Sequence, residues 1–330
     1  MKLLVCGGAG FIGSNFVRVR VRDRGDEVVV LDKLTYAGRR ENLQDVEHTF
    51  VHGAIEDPDA VAEAIDGVDA VVNFAAETHV DRSIAEPDAF IRTHAQGTFV
   101  LLEAARERSL RYLQVSTDEV YGSIASGSFT ESSPLQPSSP YSASKAGADL
   151  LVASYQHTYG LETLICRGSN NYGPYQYPEK LVPLMILNAL HGDRLPVYGD
   201  GLQVRNWLFV EDFARGIGHV LEHGLPGEVY NVGGPDECFN IDVVRQIIQL
   251  TGAGEDLIEY VTDRLGHDRR YSLGSEKVRA LGWKPQVRFE QGLQRTVRWY
   301  QDNQWWWEPI RTGAYRDYYA RQYGRALGQG

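Results

Sequence analysis

The chain has 330 residues, of which 43% are hydrophobic and 23% charged, a composition typical of a globular protein rather than a disordered, collagen-like or coiled-coil chain. Its net charge of −11 opposes binding to a nucleic-acid backbone. The odd number of widely spaced cysteines indicates neither a disulfide framework nor a cysteine zinc site, and no apolar run reaches the roughly 18–20 residues that span a bilayer, so we expect a soluble protein of the reducing cytoplasm.

Short apolar runs recur through the first half of the chain, separated by intervals that leave room for a helix. Two of these intervals, Phe90–Arg108 and Ala143–Tyr159, show the apolar spacing of long helices. This alternation predicts an α/β fold with a doubly wound parallel sheet. The predicted strands are Lys2–Cys6, Glu27–Leu31, Thr49–His52, Ala70–Phe74, Tyr112–Ser116 and Thr163–Arg167.

The first predicted strand runs directly into a glycine-rich loop with Gly7, Gly10 and Gly13. In a dinucleotide-binding loop these glycines permit a tight turn, a close approach to a pyrophosphate and packing of the next helix on the sheet. The second strand ends in Asp32, where an acid accepts hydrogen bonds from the adenosine ribose and repels a 2′-phosphate. We therefore predict a Rossmann-type NAD site, with a mere turn at Asp32 as the alternative.

The pattern loosens after about Arg167, where several prolines precede a short strand at Glu228–Val232 and a helix at Ile241–Thr251. This change predicts a smaller C-terminal α/β substrate lobe. The predicted boundaries are 1–168 for the NAD-binding domain, with room for later segments to return to it, 169–310 for the substrate lobe and 311–330 for a peripheral tail.

Tyr141 and Lys145 stand four residues apart, on one face of a helix predicted over 141–159. A lysine ammonium beside a tyrosine favours the phenolate, which can then remove a proton from an alcohol while a hydride passes to NAD. The alternative is a packed tyrosine beside a solvated lysine. Because a complete nucleotide-binding half precedes the pair, we favour the catalytic interpretation.

Two adjacent carboxylates, Asp118 and Glu119, follow the predicted strand Tyr112–Ser116. Alternation along a strand would send the two side chains to opposite faces, so both can face a substrate only if the strand has ended by Asp118. Neighbouring carboxyl groups can hold separated pKa values, as an acid and a base for eliminating water require. An exposed acidic turn is the alternative.

With its glycine loop, Tyr141 and Lys145, the chain resembles the extended short-chain dehydrogenase/reductase superfamily. The segment Ser116–Gly122 (STDEVYG) resembles the dTDP-glucose 4,6-dehydratases within it, and the similarity covers roughly residues 1–308. The resemblance implies oxidation of a nucleotide-linked glucose at C4, elimination of water across C5 and C6, and return of the hydride to C6. The other segments that carry it are Glu77–Ile84, Asn170–Leu181, Val204–Val210 and Asp263–Tyr271.

The resemblance also implies roles for individual residues. Tyr141, with Lys145, is expected to take the C4 hydroxyl proton, and Thr117 to bond the C4 oxygen. Glu119 is expected to be the base at C5 and Asp118 the acid at C6. The long helices around 90–108 and 143–159 are expected to pair with their symmetry mates in a homodimer.

Further binding residues are carried over from the matching segments, and no metal ligand is among them. Beside the glycine loop, Asp32, Tyr141 and Lys145, the expected cofactor residues are Phe11, Ile12, Lys33, Leu34, Thr35, Ala54, Ile55, Phe74, Ala75, Ala76, Glu77, Thr78, Thr93 and Asn171. The expected nucleotide-sugar residues are Thr78, Thr117, Asn170, Lys180, Leu181, Pro196, Val197, Tyr198, Arg205, Asn240, Arg264 and His267.

Four positions depart from the family pattern. Ala54 stands where an acid near the adenine is usual, and His94 where an asparagine is usual. Asn206 and Phe213 replace an aspartate and a histidine. We expect Ala54 to weaken the binding of NAD and His94 to alter the proton route behind Lys145.

Other interpretations of the sequence remain open. A nucleotide-sugar 4-epimerase, or a 4,6-dehydratase of another nucleotide-linked hexose, shares most of the motifs; Asp118 and Glu119 argue against the epimerase. A protein that senses NAD without turnover is disfavoured by the Tyr141/Lys145 pair. The segment His219–His223 matches an H-x-x-E-H zinc pattern, but no third ligand stands nearby, so we expect no metal site.

Overall fold

The computed structural model describes residues 1–263, 267–312 and 319–320. Within them the chain alternates between strands and helices through its first half, as the sequence predicts. The strands, numbered in chain order, are β1 (Lys2–Cys6), β2 (Glu27–Asp32), β3 (Thr49–His52), β4 (Ala70–Asn73), β5 (Arg111–Thr117), β6 (Thr163–Gly168), β7 (Asn170–Tyr172), β8 (Leu195–Tyr198), β9 (Val204–Phe209), β10 (Val229–Val232), β11 (Asp236–Phe239) and β12 (Ile258–Val261).

Seven strands form one parallel sheet in the order β10-β6-β5-β4-β1-β2-β3. Strand β1 lies near its centre, with Leu4 opposite Val29 of β2 and Val71 of β4. Strands in this position are covered on both faces, and their sequences are therefore nearly unbroken runs of apolar residues. The predicted Rossmann-type α/β fold is confirmed.

Helices cover both faces of this sheet. The helical residues Phe16 and Ile217 pack in the core on one face, and Leu101 and Val152 pack in the core on the other. The sheet is therefore doubly wound, with its strand ends free to form a binding edge. The helices are α1 (Phe11–Arg24), α2 (Pro58–Ala64), α3 (Val80–Ala85), α4 (Asp88–Ile91), α5 (Thr98–Glu107), α6 (Pro140–Tyr159), α7 (Leu181–His191), α8 (Val210–His223), α9 (Asn240–Thr251), α10 (Glu276–Ala280), α11 (Phe289–Asp302) and α12 (Gln304–Thr312).

The strand predicted at Glu228–Val232 forms, as β10, but it belongs to the main sheet and not to the second lobe. Val229 lies opposite Ile165 of β6, and Val232 opposite Gly168. Helix α8, which precedes it, packs against α1. The chain thus leaves the first domain after β6 and returns to it, because the edge of β6 is an apolar partner for β10. The periodicity of the sequence does not identify which strand β10 pairs with.

The second lobe contains a three-stranded sheet, β11-β9-β7, and the pair β12-β8. Its core joins Met185 of α7, Val244 of α9 and Leu293 of α11. The predicted peripheral tail departs from expectation where it is described: α12 runs across the boundary to Thr312, and both Arg311 and Tyr319 are buried. Residues 313–318 and 321–330 of the predicted tail lie outside the described residues.

The helix predicted over Phe90–Arg108 is interrupted. A π-helix at Arg92–Gly97 separates α4 from α5. Such a turn holds an extra residue and is found frequently at functional sites. Here it buries Thr93 and His94 on the side of the sheet edge, where Thr93 Oγ1 accepts a hydrogen bond from Lys33 Nζ at 3.0 Å.

Candidate active site

The glycine loop connects β1 to α1 and has no room for side chains at two positions. Gly7 has a φ of +72°, and a Cβ there would lie 2.6 Å from the Ala75 amide nitrogen. A Cβ on Gly13 would lie 2.2 Å from the Gly7 carbonyl oxygen. Gly10 precedes α1 and provides no side-chain cap for its first amides, and Phe11, Ile12 and Gly13 at the start of α1 line a cavity at the edge of the sheet. This arrangement fits the pyrophosphate of a dinucleotide.

Asp32 ends β2 beside the loop. Its carboxylate accepts hydrogen bonds from the amides of Ala9 at 2.9 Å and Leu34 at 2.8 Å. Burial raises its pKa, and the two amides oppose that effect. The next residue, Lys33, contacts Glu56 at 3.2 Å and Glu77 at 3.3 Å. The acid is thus held in place by backbone groups, with a cation next to it.

Most of the cofactor residues predicted from the sequence line one large cavity at the carboxyl edge of the sheet. Leu34, Ala54 and Glu77 do not line it. Leu34 packs on the core, and the Glu77 carboxylate turns towards Lys33. The predicted residues that line the cavity are Gly7, Gly10, Phe11, Ile12, Gly13, Asp32, Lys33, Thr35, Ile55, Phe74, Ala75, Ala76, Thr78, Thr93, Thr117, Asp118, Glu119, Tyr141, Lys145, Asn170, Asn171 and Lys180.

Tyr141 and Lys145 both lie on α6, which begins at Pro140. The Ser139 hydroxyl caps α6 by accepting the amide of its third residue at 3.1 Å. The Lys145 ammonium donates to the Val115 carbonyl of β5 at 2.7 Å. Burial lowers the pKa of Lys145 to about 8 and raises the pKa of Tyr141 well above its usual value. The phenol therefore needs a neighbouring cation to act as a base.

Asp118 and Glu119 lie in a short 3-10 helix over Asp118–Tyr121, which we call the acidic turn. Strand β5 ends at Thr117, whose hydroxyl accepts the Glu119 amide at 3.2 Å. The expected end of the strand before Asp118 is confirmed. Asp118 is only 2% exposed, and burial together with the nearby Glu119 raises its pKa to about 8. Asp118 thus keeps a proton at neutral pH, while Glu119 is half-buried and faces the cavity.

A second cavity adjoins the first, and Glu119, Asn170 and Lys180 line both. The buried Arg205 donates to the Val204 carbonyl at 2.8 Å and the Asp268 carbonyl at 2.9 Å. Arg264, also predicted here, lies outside the described residues, and Thr78 and Thr117 line the first cavity only. The predicted residues that line the second cavity are Asn170, Lys180, Leu181, Pro196, Val197, Tyr198, Arg205, Asn240 and His267.

Two of the departures from the family pattern have structural partners. His94 is buried in the π-helix, its Nδ1 lies 2.8 Å from Ser144 Oγ, and its ring packs edge-on against Tyr141. Burial, with the Lys145 charge, lowers the pKa of His94 well below its usual value, so it is a neutral group. Asn206 bonds both the amide and the carbonyl of Gly234 at 2.9 Å. It therefore holds β9 to the loop before β11.

Several lining residues were missed by the sequence analysis. Glu179 lines both cavities, accepting a hydrogen bond from Tyr36 OH at 2.8 Å and contacting Arg82 at 3.4 Å. Glu56 and Phe213 line the first cavity and Tyr271 the second. Glu179 directly precedes Lys180 in a segment that the sequence had already marked, and that adjacency was the available signal.

The H-x-x-E-H segment lies at the end of α8, away from both cavities. His219 Nε2 is 2.8 Å from the Leu281 carbonyl, and His223 is 3.7 Å from Glu222. Among the described residues no group of three or more His, Cys, Asp or Glu side chains could hold a metal ion. These histidines have structural partners instead. None of the described helices is long and apolar enough to cross a membrane.

A phenol and an ammonium on one helical face, beside a glycine loop and an acid at the end of β2, place the chain among the short-chain dehydrogenases/reductases. The model of the family described as GDP-mannose 4,6 dehydratase matches residues 4–296, and the chain belongs to that family.

The relatives are similar over almost their full length. A dTDP-glucose 4,6-dehydratase of Streptomyces niveus is 51% identical, covering 94% of this chain and 96% of the relative. The crystal structure of DesIV, a dTDP-glucose 4,6-dehydratase from Streptomyces venezuelae with NAD and TYD bound, has a TM-score of 0.92 and 53% identity over 94% of this chain and all of the other. A UDP-glucose 4-epimerase of Thermus thermophilus, in complex with NAD, has a TM-score of 0.86 and 31% identity over 92% of this chain and all of the other. The fold is therefore common to both reactions.

Proposed function

We propose that the protein is an NAD-dependent dehydratase that converts dTDP-glucose to dTDP-4-keto-6-deoxyglucose. Relatives about half identical in sequence carry this activity in their names, and they match nearly the whole chain. The observation that carries the proposal is the acidic turn, where the buried Asp118 and the half-buried Glu119 line one cavity with Tyr141 and burial raises the pKa of Asp118 to about 8. An epimerase does not need such a pair, because it removes no water.

The first cavity holds NAD in this proposal. The amides at the start of α1 bind the pyrophosphate, and Asp32 accepts hydrogen bonds from the adenosine ribose. A 2′-phosphate beside Asp32 would meet a like charge, so NAD is preferred over NADP. When bound, NAD accepts a hydride from C4 of the sugar and returns it to C6.

Tyr141 removes the proton of the C4 hydroxyl. The Lys145 ammonium stabilises the phenolate, which burial would otherwise disfavour. Thr117, at the end of β5 and on the cavity wall, donates a hydrogen bond to the C4 oxygen. The C4 hydroxyl thus becomes a carbonyl, and the neighbouring C5–H bond becomes acidic.

Elimination of water follows from the two carboxyl groups. Glu119 takes the C5 proton, and the electrons of the C5–H bond form a C5–C6 double bond. The C6–O bond breaks as Asp118 gives its proton to the leaving hydroxyl, so one water is released. Glu119 then returns its proton to C5 as the hydride reaches C6, which restores the C5–C6 single bond of the 4-keto-6-deoxy product. A base and an acid with separated pKa values are what this step requires, and burial of Asp118 provides the difference.

The second cavity supplies cations for the diphosphate of the nucleotide sugar. Lys180, Arg205 and His267 line it, on a chain whose net charge is −11. Fixed cations with several hydrogen-bond donors are the usual partners of phosphate groups. We infer that the nucleotide occupies this cavity and that the sugar extends past Glu119 into the first.

The mass of the product tests the proposal. Purified protein with bound NAD and dTDP-glucose is expected to give a product lighter by one water, with no net accumulation of NADH. Recovery of dTDP-galactose would support a 4-epimerase and overturn the proposal. Parallel reactions with UDP-glucose and GDP-glucose determine the preferred nucleotide.

We also propose a homodimer through α5 and α6. Phe99 of α5 is 48% exposed and Leu150 of α6 is 63% exposed. Large apolar side chains on two adjacent long helices favour burial against a second copy. Light scattering at micromolar concentration is expected to give twice the mass of one chain, and a Leu150→Lys variant is expected to shift it towards the monomer.

A further inference from the structure

A buried ion pair lies beneath the catalytic helix and outside both cavity linings. Asp149 is on α6, one helical turn after Lys145, and is 1% exposed. Its Oδ2 accepts a hydrogen bond from Arg167 Nε of β6 at 2.8 Å. Arg167 is 5% exposed. Removing two charges from water costs desolvation free energy that can exceed their mutual attraction, so a gain in stability does not by itself explain this pair.

The pair also reaches the acidic turn. Arg167 donates to Tyr121 OH at 2.8 Å, and Tyr121 OH donates to Asn231 Oδ1 of β10 at 2.9 Å. Tyr121 ends the acidic turn that begins at Asp118. The network therefore connects the helix that holds the tyrosine and lysine to the turn that holds the two carboxyl groups.

We propose that Asp149 and Arg167 are positioning residues whose paired charges set the pH range in which Tyr141 and Lys145 act. This inference rests on the proposed function, because it assigns a pH range to the Tyr141 and Lys145 of that reaction. Asp149 places a negative charge one helical turn from the buried Lys145 ammonium. The positive charge of Arg167 partly cancels the effect of Asp149 on the pKa values of Lys145 and Tyr141. Neither side chain lines the cavities where the substrate binds.

Other titratable groups lie near Asp149 and Arg167, and their effects on Tyr141 and Lys145 can be compared. Asp149 is the group that raises the pKa of Lys145 against the stronger effect of burial, and it also raises the pKa of Tyr141. Charged residues elsewhere on the packed helices and on β5 pair away from it: Arg82 with Glu179, Asp88 with Arg92, Glu103 with Arg106 and Arg111 with Glu162. Among the described residues, the other groups that act on Tyr141, Lys145 or Asp149 are His94 from the π-helix, Asp118 and Glu119 from the acidic turn, and Tyr112 from β5. Asp81 of α3 lines the second cavity.

The sign of the effect differs between the two partners. Asp149→Asn removes a negative charge and leaves Arg167 uncompensated, so the pKa values of both Tyr141 and Lys145 fall. Arg167→Gln leaves Asp149 uncompensated, so both pKa values rise. Since Tyr141 must lose its proton and Lys145 must keep its own, the active pH range moves down in the first variant and up in the second. We expect each shift to be about 1 pH unit.

Direct titration of Lys145 tests this without any substrate. The chain contains six lysines, so protein labelled with ¹³C at lysine Cε gives few NMR signals, and Lys145→Met assigns the one required. The Lys145 pKa is expected to fall in Asp149→Asn, to rise in Arg167→Gln and to stay within about 0.3 units in Arg167→Lys, which keeps the charge. Arg106→Gln, which breaks an exposed pair on α5, is the matched surface control.

Stopped-flow measurement of the NADH transient with dTDP-glucose then checks the pH range. Opposite displacements in the two variants support the proposal, and an unchanged Lys145 pKa in both overturns it whether or not dTDP-glucose reacts. Equal losses of rate without displacement would indicate a purely structural pair and also overturn it. If Arg167→Gln does not fold, the contrast between Asp149→Asn and Arg167→Lys decides by the same criterion.

Discussion

The two cavities differ in what they are made of. The first lies at one edge of a sheet, where the glycine loop and the start of α1 meet the ends of β2, β4 and β5. The second is built from side chains on segments far apart in the chain, such as Lys180, Arg205, Asn240 and His267. Backbone recognition requires a local conformation, whereas side-chain recognition requires that distant segments meet.

We therefore expect the first cavity to tolerate substitution less well than the second. Gly7 and Gly13 have no replacement, because a Cβ at either position would overlap backbone atoms. A cation in the second cavity is one of several, so losing it weakens binding without destroying the site. Glu119 lines both cavities and is expected to be the most sensitive position of all.

The largest effect is expected for Glu119→Gln. Without the base at C5, elimination of water is predicted to slow by about 10²–10⁴-fold, while oxidation at C4 continues. Enzyme-bound NADH is therefore expected to build up on addition of dTDP-glucose, as measured by absorbance. A variant that releases product at the wild-type rate would contradict the assigned role.

Gly13→Ala is expected to damage the first cavity severely. Its methyl group would lie 2.2 Å from the Gly7 carbonyl oxygen, so the loop must move. We predict at least a 100-fold loss of NAD affinity by calorimetry, about 2.7 kcal/mol or more. Gly147→Ala is the control, because a Cβ there on α6 meets nothing within 4 Å. Equal NAD binding by both variants would show that the loop is not the pyrophosphate site.

Arg205→Gln is expected to act mainly on the second cavity, although the Arg205 charge also lowers the pKa of Asp118. Loss of a charged hydrogen-bond donor is typically worth about 1.5–3 kcal/mol, so KM for dTDP-glucose is predicted to rise about 10–100-fold. NAD affinity is expected to stay unchanged. Arg269→Gln, which removes an exposed arginine paired with Asp200 at 2.8 Å, serves as the comparison. A parallel loss of NAD affinity would show that the two cavities are not independent.

The pH dependence of kcat is expected to reflect Asp118 and Lys145, which both line the first cavity. Asp118 and Lys145 both have pKa values near 8 and both act in their protonated forms. As pH rises through this value each loses its proton, so kcat is predicted to decline above about pH 8, tenfold per pH unit or more steeply. A profile that stays flat to pH 9.5 would contradict both assignments.

The smallest effect is expected for Ala54→Asp. The sequence predicts weaker NAD binding from the missing acid, but Ala54 does not line the first cavity and Glu56 does. We expect the variant to change the NAD dissociation constant less than threefold, and Glu56→Gln to weaken binding more. A tenfold gain from Ala54→Asp would show instead that this position reaches the adenine.

The sequence by itself determined the local parts of this protein. The glycine loop, the acid nineteen residues beyond Gly13 and the i, i+4 placement of Tyr141 and Lys145 each depend on a few consecutive residues in one element. Their geometry follows from the strand, the turn and the helix alone. The predicted strands of the first domain all formed, most of them within one residue of their predicted ends.

Only the tertiary structure decided what depends on distant partners. It placed β10 in the main sheet beside β6, introduced the π-helix before α5, and brought Arg205 and Lys180 to one cavity. It also buried Asp118, which turned an ordinary carboxyl group into an acid with a pKa of about 8. The physical reason is that burial and pairing depend on the assembled chain. An aspartate is the same residue whether its side chain lies in water or in a core, but its pKa differs between the two environments.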